Sequence, residues 1–203
     1  MLEKKDIEQA KKLFKEWDNN HIWKKPTSEF IEHCRKKARD SLNLAIYLLD
    51  KLEKTKELED NETATIWVVT ASYYSMFFEV EYLLGLDGKK LPEGSQDTHK
   101  TIYLAFLYYY VIKGSELEQK KIKKITTSRM SKALAIFKDL QSETLELQRI
   151  QKSVKDLKTQ REQRNVFTYR MSKSAEIFEA KKGVAKATEF RQLIEEYILS
   201  KKA

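Results

Sequence analysis

Two arginines, Arg161 and Arg164, stand where a helical seam should carry apolar residues. The seam runs through Ala133, Phe137, Leu140, Thr144, Leu147, Ile150, Val154 and Leu157. Steps of three and four place these on one face of an amphipathic helix. The next two positions in that rhythm are the arginines, and Asn165 and Tyr169 follow closely. A charge on a core-facing stripe is costly unless it is paired or reached by water. Either the helix end leaves the core here and the side chains snorkel, or the guanidiniums line a cleft or subunit interface that holds an anion such as phosphate.

Other candidates are less pointed. His99 and Lys100 fall in the first turn of a helix after a long loop. Open amides and the positive dipole end suit an anion there, so the pair is a candidate phosphate contact as well as a plain exposed turn. Glu79 and Glu81 lie within the most apolar helix, where a carboxylate could pair with Arg161 or Arg164. The tyrosines at 73, 74, 108, 109 and 110 read as core by their spacing, with a hydroxyl free to reach a polar cleft. Cys34 is the single cysteine and the three histidines lack ligand spacing, so neither a disulfide nor a metal site is expected. No Gly-rich phosphate loop, nucleophile elbow or zinc-protease motif occurs, and no cofactor is expected.

Long helices must position these groups. Gly is 5 and Pro is 2 of 203 residues while 34% are charged, which leaves little room for hairpins. The net charge of +8 favours an acidic partner, nucleic acid before membrane, although Lys-rich helical surfaces also occur without one. The longest uncharged run, 63–78, is interrupted by Thr, Ser and Tyr and falls short of the ~20 residues of a membrane span. The start lacks the apolar core of a secretory signal, so a cytoplasmic protein is expected.

The pattern predicts a short helix over 4–17, a linker over 18–25, and a helix over 28–54 opened by Pro26 and capped by Thr27 or Ser28. Asn61 is placed to cap the central helix, 62–84, whose apolar residues are Ile66, Trp67, Val69, Tyr73, Phe77, Val80, Leu83 and Leu84. The loop 85–96 holds three glycines, and Asp97 or Thr98 is expected to cap the helix ending near Gly114. Ser115 and Glu118 have capping-box spacing before the long seam helix. A last helix, 175–200, should bury Ile177, Phe178, Val184, Ala187, Phe190, Leu193, Ile194 and Tyr197. The expected fold is all-α: an up-and-down bundle of four to five long helices (26–203) with an N-terminal helical arm (1–25).

Three segments, taken in order, resemble HEPN domains (higher eukaryotes and prokaryotes nucleotide-binding). ASYYSMFFEVEYLLG is similar to the family's YYAMFHAA helix, THK at 98–100 to the start of its next helix, and RNVFTY at 164–169 to the RxxADY signature of one prokaryotic branch. The closing helix, EAKKGVAKATEFRQLIEEYI, and the helix over 28–54 fit the same pattern, so the likeness spans roughly 28–200. It implies a nucleotide- or RNA-binding module that works as a homodimer. Arg161, Arg164, Asn165 and Tyr169 would line the interface cleft, with His99 and Lys100 as further contacts. It also implies one half of a toxin–antitoxin-like pair with a small nucleotidyltransferase. Family ribonucleases cleave without metal, using an Arg and a His four to six residues apart. Here Tyr169, Arg170 and Met171 occupy the places where that His would stand, Thr101 replaces the Gly after Lys100, and Phe167 and Thr168 replace Ala-Asp. A phenol with pKa near ~10 is a weak base at neutral pH, so cleavage by Arg164 and Tyr169 should be weak or absent. The alternatives are a metal-independent endoribonuclease using those two residues and a non-catalytic bundle that only assembles with another protein.

Overall fold

The computed structural model describes residues 4–54, 62–114, 124–158 and 173–202. Six helices account for nearly all of them: α1 (Lys4–Asn19), α2 (Ser28–Lys54), α3 (Glu62–Leu86), α4 (Thr98–Phe106), α5 (Lys124–Lys158) and α6 (Lys173–Lys202). Among the described residues there is no strand, only an isolated antiparallel bridge between Lys24 and Lys90. The all-α bundle expected from the patterning is what forms.

Helix α3 is the axis of the bundle and packs against α2, α4, α5 and α6. It can do so because it is apolar on nearly every side, which suits a helix surrounded by others. Val68, Val69, Met76, Val80, Leu83 and Leu84 are all at most 1% exposed. The seam of α5 faces it as expected: Ala133, Phe137 and Leu140 are fully buried and Thr144 nearly so. Phe137 stacks on Tyr73 at 5.7 Å and meets Phe190 of α6 at 5.9 Å.

The arm expected over 1–25 contributes to this same core. Ala10 and Phe14 of α1 are completely buried, and Phe14 packs among Trp17, Trp23, Tyr108 and Tyr109. The receiving surface is a π-helical turn, Leu107–Ile112, that continues α4. Its wider winding fans three consecutive tyrosines toward three partners. Tyr108 meets Phe14, Tyr109 donates to Asp18, and Tyr110 donates to Asp87 at 2.9 Å. Periodicity predicts an ordinary helix here, because a single π turn leaves no mark on an all-apolar run.

Several local expectations are corrected. Trp67 is 55% exposed rather than central. It shares a stripe of α3 with Tyr74, Phe78 and Glu81, which are only partly buried. Phe178 is 61% exposed, on the outward face of α6 with Lys181, Ala185, Thr188 and Gln192. Thr27 caps α2 as expected, its hydroxyl accepting from the Phe30 amide at 3.1 Å. Neither Asp97 nor Thr98 caps α4 through its side chain: Asp97 is left-handed (φ 53°), and Thr98 donates back to the Ser95 carbonyl. Gly85 belongs to α3 rather than to the loop. A Cβ there would stand 3.0 Å from Ile31, so glycine lets α2 approach closely. Asn61, Ser115 and Glu118 lie outside the described residues.

Candidate functional site

Two polar sites are built on α3, six residues apart. The first joins α3, α4 and α5. Phe137 of α5 stacks on the ring of Tyr73, and Gln141, one turn further, donates to its hydroxyl at 3.3 Å. The same hydroxyl lies 2.8 Å from His99 Nδ1. Tyr73 is 4% exposed, and among the described residues the acceptor for its proton is that ring nitrogen. A buried hydroxyl does not leave its proton unpaired, so Nδ1 accepts and a neutral His99 carries its proton on Nε2. Burial against Phe77 (4.8 Å), Tyr73 and Tyr74 holds the His99 pKa below its usual value, and nearby Asp97 offsets this only in part. Burial likewise pushes the Tyr73 phenol up, against the lowering effect of Gln141. His99 and Lys100 are both exposed residues in the first turn of α4, whose amides no side chain caps. His99 therefore offers an oriented N–H rather than a charge, and Lys100 offers the charge.

The second site lies between α2, α3 and α6. Glu79 is 5% exposed and its carboxylate has no hydrogen bond among the described residues. Arg191 of α6 approaches it at 3.8 Å, and the carboxyl pKa is raised to about 7, by burial first and against the pull of that guanidinium. Glu79 opens into a cavity of about 300 Å³ that Arg35 and Arg39 of α2 also line. The sequence marked Glu79 as unusual and suggested Arg161 or Arg164 as partner; in the described structure the partner is Arg191. Arg35 and Arg39 sit one turn apart on a polar face, a pattern shared with any solvated helix, so nothing local signals their role.

Arg161, Arg164, Asn165 and Tyr169 lie outside the described residues. Glu81 has its pKa raised by burial and lies 4.0 Å from the Cys34 thiol. Burial, with the Glu81 charge, pushes that thiol up to about 12, so it is not a nucleophile at neutral pH. Among the described residues no group of three or more His, Cys, Asp or Glu side chains is placed to hold a metal. No described helix is long and apolar enough to cross a membrane. Comparison with family models, with curated proteins and with solved structures finds no match to this chain.

Proposed function

We propose that this chain is a HEPN-like helical module that binds a nucleotide or RNA through the N-terminus of α4. One observation carries the reading: the chain of hydrogen bonds from Gln141 through Tyr73 leaves the His99 proton on Nε2, in the first turn of a helix start that no side chain caps and where Lys100 follows in sequence. A neutral N–H donor, an ammonium and open amides together match a phosphate. The net charge of +8 would draw a polyanion toward it. The module works in the cytoplasm as a homodimer, with Arg161, Arg164, Asn165 and Tyr169 completing the contact surface, and pairs with a small nucleotidyltransferase.

The test is fluorescence anisotropy with a labelled single-stranded RNA pool and with a labelled nucleotide. The His99→Ala/Lys100→Ala double variant should lose about tenfold or more in affinity, and wild-type affinity should fall steeply as salt rises. Affinity that is unchanged in the variant would overturn the reading. Cleavage of the same pool should be weak or absent, since RNVFTY lacks the motif His. Robust EDTA-resistant cleavage, lost in Arg164→Ala, would replace the binding module with a ribonuclease.

A further inference from the structure

The cleft between α2, α3 and α6 holds charges that the bundle does not need for packing. The two arginines of α2 are held loosely by their neighbours. Arg35 meets Glu32 at 3.6 Å and Arg39 meets Asp40 at 3.6 Å, both as largely exposed pairs, and Arg191 meets Glu195 at 2.9 Å. Exposed pairs of this kind contribute little and exchange partners at small cost. Four cations line the cavity, Lys36 being the fourth, against the carboxylates of Glu32, Glu195 and Glu79. Asp40 pairs with Arg39 from outside the lining, so when Glu79 holds a proton one positive charge remains uncompensated and its O–H becomes a donor. Tyr82, Ile198 and Leu199 complete the lining, and Leu199 is 66% exposed, an apolar side chain left open at the rim.

The geometry points to this cleft as a binding site for a small organic phosphate monoester, its dianionic head held by Arg35, Arg39 and Arg191 and its apolar or aromatic body set against Tyr82, Ile198 and Leu199. Guanidiniums match phosphate oxygens in paired hydrogen bonds, which favours phosphate over a carboxylate of single charge. The cavity is at the small end of ligand pockets, which suits one phosphate and one compact body rather than a polymer. A protonated Glu79 donates to a phosphate oxygen, whereas an ionised one repels it. This site is separate from the start of α4 and does not depend on the RNA- or nucleotide-binding reading.

Isothermal titration would compare phenyl phosphate, inorganic phosphate and benzoate as probes. Phenyl phosphate should bind at least ~10-fold tighter than either of the others. The Arg35→Gln/Arg39→Gln variant should weaken it by ~10-fold or more while melting like the wild type, because both arginines are exposed. Glu79→Gln should bind several-fold tighter near pH ~8 and equally at pH ~6, since it removes the ionised form. His99→Ala/Lys100→Ala should change none of this, which separates the site from the one on α4. No saturable binding of phenyl phosphate, or binding that survives loss of both α2 arginines, would overturn the proposal. Equal affinity for inorganic phosphate would remove its organic body.

Discussion

Tyr73 and Glu79 are both polar, both on α3 and almost equally buried, at 4% and 5% exposure, yet their surroundings differ in kind. Tyr73 has directional partners on two sides, with Gln141 donating to it and His99 accepting from it. Its burial is compensated by geometry, and the arrangement positions a ring on the next helix. Glu79 has a guanidinium at 3.8 Å and no hydrogen bond among the described residues, so its charged form is opposed by desolvation. The first is a settled network and the second an unsettled charge. Buried groups of the second kind are where a protein is poised to respond to a proton or a ligand.

The sharpest test of the contrast is the pH dependence of stability in Glu79→Gln. The folded-state pKa of Glu79, about 7, lies above its ordinary value of 4.5. The native state therefore holds this proton more tightly than the unfolded chain, and its stabilising contribution is full at acid pH. That contribution falls as pH rises from about 4.5 to about 7. Well above that window the ionised group costs about 3 kcal/mol, so Glu79→Gln should be more stable than wild type by that order near pH ~8 and equal to it near pH ~4. Urea melts at the two pH values check this. A pH-independent difference would mean that Glu79 is already compensated, like Tyr73.

Tyr73→Phe is the matching experiment on the other side. It leaves Gln141 and His99 Nδ1 without their shared partner and should cost about 1–2 kcal/mol, a cost that shrinks as pH falls because the freed His99 takes up a proton more readily. NMR titration should show the His99 pKa rising, because the donor that favoured its neutral form is gone. An unmoved His99 would show that Tyr73 does not orient it. Arg191→Gln should cost less, about 1 kcal/mol, and should drive the Glu79 pKa higher still by removing its nearby positive charge. The smallest effect is expected for Arg39→Gln, within about 0.5 kcal/mol, because this side chain is exposed and packs nothing away from water.

Helix periodicity carried most of the architecture. The α5 residues Ala133, Phe137, Leu140 and Thr144 and the α2 residues Cys34, Ala38, Leu42, Ala45 and Leu52 are buried as their spacing requires. Spacing failed where a helix is apolar beyond its covered face. Trp67 and Phe178 look like core by composition, but hydrophobicity does not report which side a neighbouring helix occupies. The site was legible in part. His99 and Lys100 were marked by their place at a helix start, and Glu79 by its apolar surroundings. Gln141 and Arg191 carried no such mark, since one polar residue on a helix resembles another until a second helix lies against it.

Local chemistry by itself determined the all-α class, the helix start near Thr27, the buried faces and the unusual standing of Glu79. These follow from propensity, capping and a 3.6-residue repeat, all of which act within one or two turns of chain. The tertiary structure alone decided that Tyr73 points His99, that α1 closes the core over a π turn, and that Glu79 faces Arg191. The reason is separation along the chain: Gln141 lies 68 residues from Tyr73, and no short-range preference specifies which side chains meet across such a distance. Packing of α3 among four other helices makes that choice.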